Sequence, residues 1–189
     1  RMLFCASLAR GLSRVSNLDY SVDIATTIGA LRQLGANILA KDHEAEVEGL
    51  PGGFATITKP VNCAESGSTL RFLIPLYSLT GQKITFTGAP RLFARPLSVY
   101  EQIFSSQGRA FGATADNLVI RGSLRSGDFT LPGNVSSQFI SGLLFALPLL
   151  EGDSNIHIVP PFESYSYVEL TRSAQRLFGV NSTWTDDFT

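Results

Sequence analysis

Apolar positions fall along this chain in two alternating kinds of helix. Residues 1–10, 66–79 and 136–150 are apolar on nearly every side, as Met2, Leu3, Phe4, Cys5, Ala6, Leu8 and Ala9 show for the first, and such helices belong in an interior. Residues 22–34, 97–107 and 167–178 carry a single apolar stripe: Ile24, Ile28, Leu31 and Gly35 share one face of the first, while Thr27, Arg32 and Gln33 face away and Ser21 stands as its N-cap. Strands are predicted at 13–18, 37–40, 45–49, 54–58 (after the breaker Pro51-Gly52-Gly53), 83–88, 114–122, 128–132 and 155–159, with a last one after residue 178. The order of apolar helix, glycine, strand, amphipathic helix and further strand occurs three times, so the chain is an internal repeat. Gly11, Gly81 and Gly152 close the apolar helices. The exits Leu34-Gly35-Ala36, Phe111-Gly112-Ala113 and Phe178-Gly179-Val180 each place a glycine where a helix C-cap takes positive φ. Three helices apolar all round can be buried completely only if sheets wrap them, which predicts an α/β (α+β) architecture with helices inside and sheets outside.

The helices of the second and third units open on hydroxyl-rich turns, Glu65-Ser66-Gly67-Ser68-Thr69 and Val135-Ser136-Ser137-Gln138. Helix N-termini present unpaired backbone N–H groups that attract anions, and packing around a common axis would bring these ends to one edge of the domain.

Composition narrows the anions to be expected. The chain has 189 residues, 44% hydrophobic, enough for one packed domain or two small ones. Charged residues make up 16%, below the roughly 25% usual for soluble domains, so protein outside this chain is expected to cover part of the surface. A formal net charge of −1 without a run of like charges gives no electrostatic support to a nucleic-acid partner or an anionic membrane, so any anion site is local. Two cysteines, Cys5 and Cys63, make no disulfide framework and favour a reducing, cytoplasmic setting. With His43 and His157 as the only histidines and no paired ligand spacing, no metal or cofactor is expected. The apolar run 139–150 is too short to span a bilayer and contains Pro148. Because the chain begins at Arg1 inside a helix start and ends within a strand-like region, it reads as a piece of a longer protein, with units at about 1–60, 61–123 and 124–189, the first and last truncated.

Three segments could carry chemistry. In Glu65-Ser66-Gly67-Ser68-Thr69-Leu70-Arg71 a glycine admits close backbone approach and an arginine follows one turn later, which reads as a phosphate or carboxylate cradle and equally as a serine N-cap on a buried helix. In Pro90-Arg91-Leu92-Phe93-Ala94-Arg95-Pro96 two guanidinium forks sit on a turn between strand and helix, suited to carboxylate or phosphate, or else simply solvated. Ser136-Ser137-Gln138 offers two hydroxyls and an amide, or another cap. Tyr165 and Tyr167, beside Ser164, read as ring-packing groups or as interface aromatics. No Ser/His/Asp triad can be assembled from the residues present.

Ser66-Gly67-Ser68-Thr69-Leu70-Arg71-Phe72-Leu73, Gly88-Ala89-Pro90-Arg91 with Ala94-Arg95-Pro96, Val135-Ser136-Ser137-Gln138-Phe139 and Glu163-Ser164-Tyr165-Ser166-Tyr167-Val168 resemble, in order, successive motifs of the 5-enolpyruvylshikimate-3-phosphate synthase family. The resemblance covers essentially the whole chain but only the N-terminal lobe of that enzyme. It implies an enolpyruvyl transferase lobe of three βαβαββ units around a pseudo-threefold axis, paired in the full protein with a similar C-terminal lobe. The implied reaction moves the enolpyruvyl group of phosphoenolpyruvate to the 5-hydroxyl of shikimate 3-phosphate and releases phosphate, a step towards chorismate and the aromatic amino acids, with glyphosate as a competitor. By position, Arg1, Ser136, Ser137, Gln138, Ser164 and Tyr167 match residues that hold shikimate 3-phosphate, and Gly67, Arg95 and Gln138 match phosphoenolpyruvate contacts. The Lys-Ser pair that precedes the arginine in the family is not present, and the acid/base carboxylates belong to the other lobe, so no catalytic residue is expected in this chain and it should bind without turnover. A sister family acting on UDP-N-acetylglucosamine has a cysteine in the loop matching 91–95, where this chain has none. RNA 3′-phosphate cyclases share related units, but their histidine context is not found. A non-catalytic anion-binding module is the remaining alternative.

Overall fold

A computed structural model describes residues 1–185 of the chain. Its elements run α1 (Met2–Leu8), β1 (Leu12–Ser16), α2 (Val22–Leu34), β2 (Asn37–Lys41), β3 (Glu44–Glu48), β4 (Val61–Asn62), α3 (Gly67–Ser78), β5 (Lys83–Thr87), α4 (Pro90–Phe93), α5 (Ser98–Ser106), β6 (Ala110–Ala113), β7 (Asn117–Arg121), β8 (Asp128–Pro132), α6 (Ser137–Ala146), a 3-10 turn (Leu147–Leu149), β9 (Asn155–Val159) and α7 (Tyr165–Arg176). They form three sheets. The first is antiparallel in the order β1-β3-β2, the second is β4-β5-β7-β6 with β4 parallel to β5, and the third is the parallel pair β8-β9.

The three apolar helices α1, α3 and α6 lie inside, as their all-round hydrophobicity requires. They meet at three rings, one from each: Phe4 and Phe145 stack at 5.0 Å between centroids, and Phe72 stands edge-on to both at 5.4 and 5.3 Å. This triangle is the point where the three inner helices meet. The longest internal packing is α3 against α6, and it is close because Gly142 has no side chain. A Cβ at 142 would fall 2.5 Å from the Arg71 carbonyl oxygen and nearer still to the Tyr100 hydroxyl. Tyr100, fully buried on α5, donates its single hydroxyl proton between the Arg71 carbonyl at 2.7 Å and the Phe139 carbonyl at 3.1 Å, and so fastens the crossing from outside.

Several boundaries differ from the expectations for physical reasons. Gly11, Gly81 and Gly152 do take positive φ (+87°, +71° and +86°), as do Gly35 and Gly179 at two of the three amphipathic-helix exits. Gly112 does not cap a helix. It lies within β6, and α5 is closed by Gly108 at φ +64°. Residues 54–58 form no strand, because their backbone is bonded elsewhere: Ala55 N donates to Leu34 O (3.0 Å), and the Gln82 amide accepts from Ile57 N (2.8 Å) and donates to Ala55 O (3.0 Å). The 114–122 region is the second arm of a hairpin whose first arm is β6. Helix α6 stops at Ala146 and tightens into the 3-10 turn at Pro148. No strand follows α7 among the described residues, and the end of the expected one, 186–189, lies outside them.

Candidate functional site

Five helix starts open on one cavity of about 480 Å³. Its wall takes Asp23, Ile24 and Thr27 from the first turns of α2, Ser68 and Thr69 from α3, Val135 to Gln138 at the head of α6, Ser164 and Tyr167 at the head of α7, and Arg1 from the cap of α1. Leu3, Phe4 and Phe72 form the apolar part. Positive helix ends and unpaired N–H groups thus face a common space, the environment an anion requires. Arg1, Ser136, Ser137, Gln138, Ser164 and Tyr167, six residues scattered over the sequence, are all on this wall.

Each is held in a distinct way. Ser136 caps α6, its hydroxyl accepting from Gln138 N at 3.2 Å, so the cap reading of that turn is correct even though the residue lines the cavity. Ser137 is 7% exposed and makes no side-chain hydrogen bond among the described residues. Ser164 occupies the N-cap position of α7 at φ +59° with no side-chain cap bond, so its hydroxyl is not spent on the helix. Its turn is fixed by Gly133, whose N–H donates to Val159 O (2.9 Å) and whose carbonyl accepts from Glu163 N (3.1 Å). A Cβ there would lie within 2.9 Å of Ile158, Phe162 and Pro161. Arg1 donates from Nε to Thr171 Oγ1 at 2.7 Å, and its guanidinium lies 5.6 Å from the Phe72 ring and 5.9 Å from the Tyr167 ring. Thr171 is wholly buried and also bonds Ser141 Oγ at 2.8 Å. Tyr165 turns away and stacks on Trp184 at 5.4 Å.

Gly67 and Arg95 sit beside this wall rather than on it. A Cβ at Gly67 would lie 2.6 Å from Arg95 Nη1 and 3.0 Å from Arg71 Nη1, so two guanidinium groups flank the bare backbone that opens α3. Arg71 Nη1 donates in turn to Gln138 Oε1 at 2.8 Å, which joins this corner to the cavity. The two arginines of the 90–96 segment have parted: Arg91 makes an exposed ion pair with Glu65, of the kind worth little, while Arg95 faces Gly67. The segment opens as a short helix, α4, over Pro90–Phe93, and Arg95 lies in the turn that follows it.

Sequence reasoning missed part of this environment. Thr27, read as facing away on α2, is 7% exposed and bonds Thr69 Oγ1 at 2.8 Å, from which the chain of hydroxyls continues to Ser66 at 2.8 Å. Its position next to the stripe edge gave no signal of a buried partner on another helix. Asp23 and Ser68 also line the cavity. Ser66 caps α3 as its alternative reading held, accepting from Thr69 N at 3.4 Å.

The electrostatics follow from burial without counter-ions. No carboxylate comes within ion-pair distance of Arg1, Arg71 or Arg95 among the described residues. Burial lowers the Arg1 guanidinium from its ordinary range, with the Tyr167 phenol acting the other way. Burial also lowers Arg71, and the charge of Arg95 adds to that effect while Tyr100 opposes it. A bound anion would supply the missing opposite charge. The two cysteines take no part: burial pushes the Cys5 thiol up to about 11 and that of Cys63 up to about 12, so neither is a ready thiolate.

Comparison with known proteins agrees with this geometry. The model of the EPSP synthase family (3-phosphoshikimate 1-carboxyvinyltransferase) matches residues 1–186. A 3-phosphoshikimate 1-carboxyvinyltransferase of Clostridium kluyveri is 48% identical over 183 residues, covering 95% of this chain and 42% of the relative. One of Clostridium perfringens is 43% identical over 182 residues, 95% of this chain and 43% of the relative. The chain therefore spans less than half the length of these curated relatives. The solved EPSP synthase of Acinetobacter baumannii superposes with a TM-score of 0.80 at 22% identity, over 97% of this chain and 42% of that one, which establishes the fold. By the family match over nearly its whole length, the chain belongs to the EPSP synthase family.

Proposed function

We propose that this chain is the N-terminal, substrate-gripping lobe of a two-lobe enzyme that transfers the enolpyruvyl group of phosphoenolpyruvate to the 5-hydroxyl of shikimate 3-phosphate, releasing phosphate. The observation that carries the reading is the cavity of about 480 Å³ whose wall gathers Arg1, Ser136, Ser137, Gln138, Ser164 and Tyr167, with Gly67 and Arg95 at its edge. In this reading the first six hold shikimate 3-phosphate, and Gly67, Arg95 and Gln138 hold phosphoenolpyruvate. Hydroxyls not committed to capping, those of Ser137 and Ser164, suit a polyhydroxylated ligand, and the unpaired guanidinium groups suit phosphate and carboxylate.

In this reading the lobe comprises three repeat units at about 1–60, 61–123 and 124–189. Its partners are the two small anions and the C-terminal lobe of the same protein, with no nucleic acid or membrane among them. Acid and base groups come from that second lobe, which closes over the ligands and excludes water. Addition of the 5-hydroxyl to C2 with protonation of C3, then loss of phosphate, would proceed in a site whose charges are already in place. The setting we infer is cytoplasmic, supported by two buried cysteines that are not paired. No described helix is long and apolar enough to cross a membrane. The alternative acting on UDP-N-acetylglucosamine has less support, since no cysteine stands in 91–95 and both thiols are buried.

Titration calorimetry with shikimate 3-phosphate on the chain, beside turnover by the intact protein, tests the reading. Binding by the chain without turnover, and turnover by the intact protein, are expected. Absence of shikimate 3-phosphate binding by both would overturn it.

A further inference from the structure

Arg71 is 8% exposed and charged, yet the ligand assignments above leave it without a role. It sits in the second turn of α3 and reaches two other elements. Its Nη1 donates to Gln138 Oε1 on α6 at 2.8 Å, its Nη2 donates to the Pro96 carbonyl at 3.2 Å, and its Cζ lies 5.1 Å from the centroid of the Phe139 ring. The Nε–H is buried without a partner. A buried guanidinium is strongly disfavoured unless hydrogen bonds and opposite charge answer it, and none of its neighbours is a carboxylate. A like charge stands beside it, since Arg95 Nη1 and Arg71 Nη1 both border the same point beside Gly67. Keeping two cations together there is useful only if an anion sits between them and the incoming ligand completes the set.

The contacts of Arg71 also constrain its neighbours. The side-chain oxygen of Gln138 is occupied by Nη1, which leaves the amide N–H₂ of Gln138 as the group to meet a ligand. The Pro96 carbonyl adjoins Arg95 in sequence, so the bond from Nη2 fixes the turn from which Arg95 projects. The backbone of Arg71 is itself fastened by Tyr100. We propose that Arg71 is the positioning residue of the phosphoenolpyruvate half of the site, orienting the Gln138 amide and the Arg95 turn with the two arms of one planar fork. A lysine does not reproduce this, because a single ammonium point replaces the two separate guanidinium arms that reach acceptors on two different elements.

The inference rests on the functional reading above, and the test separates the two. In the full-length protein, Arg71→Lys and Arg71→Ala are compared with wild type by steady-state kinetics for both substrates and by thermal unfolding. Both variants should lose ~10–100-fold in kcat/KM for phosphoenolpyruvate, the effect of losing a charge-assisted bond, with a smaller loss for shikimate 3-phosphate, which shares Gln138 but keeps its five other contacts. Adding Gln138→Ala to Arg71→Lys should cost much less than it does in wild type, because the two act through one contact. Wild-type kinetics in Arg71→Lys, equal losses for both substrates, or additive effects of the pair would each overturn the positioning role. An intact wild-type protein that does not convert phosphoenolpyruvate would overturn the functional reading and this inference with it.

Discussion

Replacing Gly67 by alanine isolates the ligand corner from the stability of the fold. The new Cβ would stand 2.6 Å from Arg95 Nη1 and 3.0 Å from Arg71 Nη1, whereas ordinary contact begins at 3.4 Å. Both obstacles are the far ends of arginine side chains, and Gly67 has no positive φ to lose, so the helix accepts the methyl group with little change in stability. Something nevertheless has to retreat, and for Arg95 the distance is about 0.8 Å. A hydrogen bond to a ligand formed at about 2.8 Å would stretch to about 3.6 Å, beyond useful range. Losing one charge-assisted bond costs about 1.5–3 kcal/mol, which is roughly 10–100-fold in affinity. Gly67→Ala in the intact enzyme should therefore raise KM for phosphoenolpyruvate, and the inhibition constant of glyphosate, by roughly that factor while changing KM for shikimate 3-phosphate by less than about threefold. Steady-state kinetics with each ligand varied in turn measures this, alongside a melting curve. Equal losses for all three ligands, or a large drop in melting temperature with no selective effect on phosphoenolpyruvate, would refute the placement.

Other expected outcomes follow from single contacts. Arg95→Ala should raise KM for phosphoenolpyruvate with a much smaller effect on shikimate 3-phosphate; an unchanged KM would mean that its fork does not reach the ligand. Gly142→Ala inverts the usual helix rule, by which alanine gains about 1 kcal/mol, since its Cβ meets the Arg71 backbone carbonyl at 2.5 Å and the Tyr100 hydroxyl; calorimetry should show a destabilisation of about 1–3 kcal/mol. Thr171→Val strips a partner from both Arg1 Nε and the Ser141 hydroxyl, so we expect a stability loss of about 1–3 kcal/mol in denaturant melts together with weaker shikimate 3-phosphate binding. For Glu169, burial pushes the carboxyl up, but hydrogen bonds from Arg172 and Trp184 outweigh it and hold the folded value below the ordinary 4.5. The stabilisation is therefore complete above pH 4.5 and lost as pH falls through the lower folded value; fluorescence of Trp184, the sole tryptophan, should change in that acid range and be insensitive to it in Glu169→Gln.

The inner helices were legible because they are written in periodicity. Helices apolar all round could only be central, the glycines expected to close them take positive φ two or more residues beyond the helix caps, and the strands at 128–132 and 155–159 stand where they were expected. Gly112 misled because two glycines lie near the same exit, and only the backbone decides that Gly108 turns the chain while Gly112 stays extended. The strand expected at 54–58 failed for a non-local reason, a glutamine 25 residues on that takes up its backbone groups. In the site, residues at helix starts could be named from motif order. Thr27 and the reach of Arg71 could not, since both depend on how one helix lies against another, information that no single segment contains.

The triangle of Phe4, Phe72 and Phe145 has a further consequence. Two of its three members, Phe4 and Phe72, also border the cavity, and Phe72 lies under the guanidinium of Arg1. The meeting point of the three inner helices and the apolar wall of the cavity thus share two aromatic rings. A substitution that loosens the meeting of α1, α3 and α6 will therefore shift the cavity wall in the same stroke, and under the function proposed above, selection for a firmer interior and selection for tighter grip would act there on the same atoms.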